Sequence, residues 1–146
     1  MYISDYLQDL KKLIKSNKRI KKAEIYGGIA TESDLEKFNL DANSCLALIS
    51  TDGGDIDTKA PLVTTACKAQ FIVSVIAKND RATKGFSVLA QNTAQDLAQS
   101  VKVEFAKPKV GLLSKPQLLS LKEIPIDSSK EFSIWYFIYE QSIQVN

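Results

Sequence analysis

The spacing of apolar residues predicts two helices. Leu7, Leu10 and Ile14 recur at intervals of three and four residues, which gathers them on one face of an amphipathic helix over residues 4–16. A longer apolar stripe that includes several alanines predicts a second helix from residue 81 or 82 to residue 105. Small residues near this stripe allow the helix to approach a sheet closely.

Four other stretches have the alternation or the apolar content of strands. They cover residues 44–50, 65–78, 117–124 and 131–145. The stretch 65–78 alternates between an apolar face and a mixed face. Residues 31–38 begin with a capping pattern and predict a short helix. The polar, glycine-bearing residues 52–61 predict a loop that projects from a hairpin.

This order of elements predicts an α+β fold. Strands that are adjacent in sequence tend to pair as hairpins, so we expect an antiparallel sheet of about four strands. The N-terminal helix and the long central helix then pack on this sheet. A chain of 146 residues has the usual length of one domain, so residues 1–146 are predicted to form a single domain.

The final predicted strand is apolar on both faces. One face carries Phe132, Ile134, Tyr136 and Ile138, and the other carries Trp135, Phe137 and Tyr139. Helices cover only one face of a small sheet, so the second face needs another layer or another subunit. Tyr and Trp are also favoured at protein interfaces. Trp135, Phe137 and Tyr139 are therefore expected either in the core of the protomer or at a contact between subunits, for which they are the candidate residues.

The composition argues against an enzyme. The chain contains no histidine, which removes the commonest general base and metal ligand. Cys45 and Cys67 form no CxxC pair and are expected to be buried free thiols. No phosphate-binding glycine motif occurs, and the aspartates near residue 55 lack the glutamate of a calcium-binding loop. We predict no catalytic residue, no cofactor and no metal site.

Positive charge is concentrated at the start of the chain. The first 22 residues carry a net charge of +5, whereas the whole chain carries +2. The seven bases are Lys11, Lys12, Lys15, Lys18, Arg19, Lys21 and Lys22. Such a cluster is typical either of the solvated face of an amphipathic helix or of a surface that binds nucleic acid.

Two segments resemble phage tail terminator proteins, in particular the small family of Mu-like contractile-tailed phages and prophages. One is FIVSVIAKNDR at residues 71–81, which leads into the long alanine-rich helix. The other is FSIWYFIYEQ at residues 132–141, where a tryptophan-bearing strand closes with an aromatic-Glu-Gln sequence. Where the family often has a tryptophan-glycine element after the long helix, this chain has Val110-Gly111-Leu112-Leu113.

The resemblance implies a non-enzymatic virion protein, assembled in the host bacterial cytoplasm and located at the neck end of a phage tail. Such proteins form a hexameric ring that caps the tail tube and stops its polymerisation. The ring contacts the head–tail connector and, in contractile tails, the sheath, while DNA passes its channel without sequence-specific binding. A bacteriocin or another phage-derived particle fits equally well.

Within such a ring, the loop of residues 51–64 is expected to reach along the ring axis toward the tube. The candidate ring or tube contacts are therefore Asp52, Gly53, Gly54, Asp55, Asp57, Lys59, Trp135, Phe137 and Tyr139.

Two other functions are compatible with the sequence. One is a nucleic-acid-binding module that uses the basic N-terminal helix. The other is a dimeric α+β protein of a different role.

Overall fold

A computed structural model of the chain describes residues 1–27, 40–58, 65–79, 87–124 and 131–145. Within this part of the chain the elements follow in the order helix, strand, strand, strand, helix, strand, strand. They are α1 (Ile3–Lys15), β1 (Ile20–Ile25), β2 (Cys45–Ile56), β3 (Ala66–Lys78), α2 (Val88–Glu104), β4 (Gln117–Ile124) and β5 (Phe132–Gln144).

The strands form one mixed sheet in the order β1-β2-β3-β5-β4. β1 and β2 run parallel, and the other neighbouring strands run antiparallel. The predicted α+β class and the three later strands are confirmed. The prediction of about four antiparallel strands is wrong in one respect, because β1 adds a fifth, parallel strand. Its sequence IKKAEI is too polar to be recognised as a strand by alternation.

Both described helices pack on the same face of the sheet, which we call the inner face. α1 lies over β1 and β2, and α2 lies over β3 and β5. The predicted stripe of α1 is buried, with Tyr6 added to it. α2 buries Ala90, Ala94, Leu97 and Val101 as the spacing predicts. No helix in the described part of the chain is long and apolar enough to cross a membrane.

The start of α2 is fixed by a side-chain cap. Ser87 accepts a hydrogen bond from the backbone N–H of Ala90, and its own backbone N–H donates to Ser133 on β5. This cap satisfies one of the free donors of the first helical turn. The predicted beginning of this helix at residues 81–86 and the predicted short helix at 31–38 lie outside the described residues.

Most of the described part of the predicted projecting loop, residues 52–58, is strand. β2 continues to Ile56, and the residues from Gly53 onward pair with β3. An irregularity between Thr51 and Gly53 leaves Asp52 as an extra residue, and Gly53 adopts a positive φ of 75°. Glycine adopts this conformation without the steric cost that other residues meet. The glycines and aspartates that indicated a loop thus form a β-bulge, after which pairing resumes.

The outer face of the sheet is only partly covered. Toward the beginning of β2, this face holds a buried apolar cluster made of Leu40, Leu46, Leu48, Ile76, Phe132 and Ile134. The sequence predicts another layer or another subunit over this face, and in this half the protomer itself buries the apolar cluster. Toward the other end, Ile72, Tyr136 and Ile138 lie next to each other across β3 and β5 and remain partly exposed.

Gly54 gives a test of the β2–β3 pairing. A Cβ added at Gly54 would overlap the backbone carbonyl of Lys68 on β3, whereas a Cβ at Gly27 meets no atom within 4 Å. We expect Gly54→Ala to lower the free energy of unfolding by more than about 2 kcal/mol, because backbone atoms must shift. Gly27→Ala should change it by less than about 0.5 kcal/mol. Urea denaturation measures both variants, and equal values would contradict the described pairing.

Candidate assembly surfaces

Two of the three aromatic rings predicted at a subunit contact are buried inside the protomer. Phe137 and Tyr139 are 0% and 1% exposed and pack in the core beneath the helices. The alternation along β5 was assigned correctly, but the face that carries these rings is the inner face. The prediction that they reach another subunit is therefore wrong, because the protomer's own helices cover them. Trp135 remains partly exposed, although its Nε1 is buried and has no hydrogen-bond partner in the described structure.

A buried polar network holds the connection between α2 and β4 against the core. The Tyr6 hydroxyl donates to Gln141 Oε1 at 2.6 Å and lies 2.9 Å from the Tyr139 hydroxyl. Gln141 Nε2 in turn donates to the backbone carbonyls of Phe105 and Ser114, each at 2.8 Å. One amide side chain thereby fixes the end of α2 and the approach to β4 relative to β5.

Both tyrosines of this network stay protonated. Burial raises the pKa of Tyr6 above its ordinary value of 10.0, an effect that the hydrogen bond with Tyr139 partly opposes. The pKa of Tyr139 is also raised, first by burial and then by its proximity to Tyr6. The network is therefore neutral at physiological pH and serves to position the chain.

β4 lies at one edge of the sheet and has an unpaired outer side. Within the described residues it pairs with β5 alone, and three leucines along it or just before it are 43–45% exposed. These are Leu113, Leu118 and Leu119. The backbone N–H of Leu113 donates a hydrogen bond to the carbonyl of Ser142, and Leu118 pairs with Tyr139. These two partners are three residues apart on β5, so Leu113 and Leu118 lie about 10 Å apart along that strand. We call these three leucines together with the outer side of β4 the apolar edge.

A groove of about 800 Å³ runs beside the apolar edge on the inner face. One wall comes from α2, including Ala98, Gln99 and Lys102, and the other comes from Leu118 and Leu121 of β4. The groove exists because α2 lies over β3 and β5 and covers β4 only in part. Exposed apolar side chains and the unpaired backbone groups of β4 thus lie next to each other at this edge of the sheet. Exposed strand edges of this kind pair readily with other chains.

The end of β2 carries the predicted acidic residues on the surface. Asp52, Asp55 and Asp57 are exposed, and Asp55 lies opposite Lys68 of β3. Lys59 and the tip of the hairpin lie outside the described residues. Across the described part of the chain, no group of three potential metal ligands comes together. The predicted tube contacts at this end are thus only partly placed, and their role stays a prediction.

The predicted basic residues lie on and just before β1, which is the edge strand opposite to β4. Lys11, Lys12 and Lys15 belong to α1, Lys18 and Arg19 to the following turn, and Lys21 and Lys22 to β1. We call these seven residues the basic edge. Arg19 binds Asp96 on α2 at 2.8 Å, and Lys22 lies 3.7 Å from Glu24. These residues lie near one another because α1, the following turn and β1 are consecutive in the chain and α1 contacts β1. That they form a binding surface stays a prediction.

The two cysteines are free and buried, as predicted. Burial is the main cause that raises the pKa of both thiols above the ordinary value of 9.0. Cys45 additionally lies 3.7 Å from the Thr93 hydroxyl. A protonated, buried thiol is a poor nucleophile, so these positions do not indicate catalysis.

The sequence analysis did not identify the apolar edge. Residues 117–124 were predicted as a strand, but a strand of this composition is equally compatible with the middle of a sheet. The pair Leu118-Leu119 was the available signal of an apolar surface at β4. Two adjacent leucines in a regular strand point to opposite faces, so helices that cover one face cannot bury both. A register shift does occur between Leu118 and Ser120.

The fold is similar to that of a chain in the virion of the native gene transfer agent (GTA) particle. The TM-score is 0.53 at 11% sequence identity, over 93% of this chain and 84% of that chain. At this identity the similarity concerns the fold alone. No protein-family model matches the sequence, and no curated protein matches it.

Tyr6→Phe tests the buried network. The substitution removes the hydroxyl that links Tyr139 to Gln141, so we expect the free energy of unfolding to fall by about 1–3 kcal/mol. Tyr2→Phe is a matched control, because Tyr2 is 78% exposed and should tolerate the change. Urea denaturation at neutral pH measures both variants. Equal stability of Tyr6→Phe and the wild type would rule out a stabilising role for the network.

The raised tyrosine pKa values also predict a loss of stability in alkali. Below about pH 10 the tyrosines are protonated in both the folded and the unfolded chain. Above this pH the unfolded chain ionises first, so each raised tyrosine lowers the free energy of unfolding by about 1.4 kcal/mol per pH unit. Between pH 9 and 11, the free energy of unfolding of Tyr6→Phe should decline less steeply with pH than that of the wild type. Equal slopes for the two proteins would contradict this expectation.

Proposed function

We propose that this protein is a structural virion protein that caps a phage tail tube as a ring. The ring ends tube polymerisation and joins the tail to the head connector and, in a contractile tail, to the sheath. The observation that carries this proposal is the fold shared with a chain of a virion particle over nearly the whole length of this chain. The two segments that resemble tail terminator proteins lie in the strand-to-helix region and in β5 of that same fold.

The apolar edge supports assembly with other chains. Soluble proteins usually protect an edge strand with charges, proline or a covering element. At the beginning of β4, Leu118 and Leu119 are exposed instead, beside an open groove. Exposed apolar surface of this kind marks interaction sites. In a ring, each contact joins two different surfaces, so the apolar edge of one copy meets another surface of the next.

The chemistry of the described residues supports a role other than catalysis. The chain has no histidine, both thiols are buried, and the two buried tyrosine hydroxyls are engaged in the network around Gln141. Three surface grooves of the described structure are lined by apolar side chains, amides and isolated charged groups. We therefore propose a non-enzymatic protein that acts through its surfaces.

Electron microscopy tests this function. The purified protein is imaged alone and after mixing with a phage tail tube protein. Rings, or caps at the ends of tubes of limited length, are the expected result. Uniform dimers in both samples would favour the dimeric alternative, and unmodified tube growth in the presence of the protein would refute tail capping.

Leu119→Glu tests the apolar edge within this function. A carboxylate at the centre of an apolar contact must be desolvated, so we expect self-association or tube capping to weaken by about 100-fold. Val88→Glu is the matched control, because Val88 is 42% exposed and Leu119 is 43% exposed. Sedimentation velocity and tube-length measurements compare the two variants. Equal assembly by both would exclude β4 from the contact.

A further inference from the structure

The basic edge contains more positive charge than the carboxylates of the described residues neutralise. Arg19 and Lys22 contact carboxylates, and Lys21 contributes a small attraction to Asp41, whose pKa is lowered mainly by hydrogen bonds from Asn43 and Ser44. Asp9 of α1 is engaged by Lys109 from the α2–β4 connection. No carboxylate of the described residues lies within ion-pair distance of the remaining four bases, which are Lys11, Lys12, Lys15 and Lys18.

Helix stability explains only part of this cluster. Lys12 and Lys15 lie in the last turn of α1, where positive charge is favourable beside the free carbonyl groups. Lys11 precedes that turn and stands four residues before Lys15, a like-charge pair that destabilises a helix. Lys18 lies beyond the helix and gains nothing from it. Helix stability thus accounts for Lys12 and Lys15 but not for Lys11 and Lys18.

We propose that the basic edge binds the phosphate backbone of duplex DNA without reading its sequence. Lysine ammonium groups contact phosphates as point charges. The helix, turn and strand that carry them follow one another in the chain, and α1 contacts β1, so the charges are concentrated at this edge of the protomer. No aromatic residue occurs between residues 11 and 22, so the base stacking that holds single strands is absent from this surface. Duplex DNA, with its higher charge density, is the favoured polyanion.

Salt dependence gives a quantitative expectation. Each phosphate that is neutralised contributes about −0.9 to the slope of log affinity against log salt concentration. Four lysines without an ion-pair partner give a slope of about −3.6, or a loss of roughly 150-fold in affinity between about 50 and 200 mM salt. The effect is measured by fluorescence anisotropy with a labelled duplex and the full-length protein.

The triple variant Lys11→Gln/Lys15→Gln/Lys18→Gln tests the assignment. We expect its slope to fall to about −0.9, because only Lys12 of the four remains. The control Lys102→Gln/Lys115→Gln/Lys122→Gln removes the same charge from exposed lysines on the α2–β4 side and should keep nearly the wild-type slope. If the slope fell equally in the two triple variants, only net charge would matter and the proposal would be overturned. Absence of DNA binding by the wild type at about 50 mM salt would overturn it as well.

A competition experiment separates DNA from an acidic protein surface. Polyglutamate at matched charge should displace the duplex poorly if phosphate backbone is the ligand. Displacement by polyglutamate as strong as by unlabelled duplex would instead favour an acidic protein partner and overturn the DNA assignment. The result does not depend on ring formation, since the same variants are imaged separately for assembly. A variant that forms rings but loses DNA binding distinguishes the two functions.

Discussion

The width of the helical layer determines which parts of the sheet stay exposed. Neighbouring strands lie about 4.8 Å apart, and packed helices lie about 8–10 Å apart, so two helices cover about four strands. Here α1 lies over β1 and β2, and α2 lies over β3 and β5. The fifth strand, β4, is left at the margin. The apolar edge and the groove beside it arise because the two described helices are too narrow a layer for the five described strands.

The two edges of the sheet differ in a way that affects association. β1 carries adjacent lysines, which oppose pairing between two copies of the same edge because like charges would face each other. The beginning of β4 carries leucines instead. One edge is thus protected against strand pairing, whereas the other is open to it. This asymmetry favours contacts between unlike surfaces, which is the type of contact that closes a ring.

Much of the fold could be predicted from the sequence, because its signals are local. The helical spacing of Leu7, Leu10 and Ile14 placed α1, and the alternation after residue 65 placed β3. β1 was missed because its burial depends on α1 and β2, which contribute the apolar contacts that its own lysines do not. The extension of β2 was missed because glycine and aspartate occur in loops and in β-bulges alike.

The candidate site was predicted less well than the fold. Alternation along β5 separates two faces, but which face the helices cover depends on long-range packing. Phe137 and Tyr139 were therefore assigned to the wrong surroundings. The residues of the basic edge could be grouped from the sequence because they lie within 12 consecutive positions, but their role as a binding surface stays a prediction. The apolar edge depends on the strand order, which places β4 outside β5 and which no local pattern indicates.

The strand order has a consequence for how the chain folds during synthesis. β5 follows every other described strand in the sequence, yet it lies between β3 and β4. Until β5 emerges from the ribosome, β3 presents a long open edge, and β4 has no strand to pair with. Contacts between residues so far apart form slowly. The nascent chain therefore passes through a period in which premature association through the open edge of β3 competes with folding.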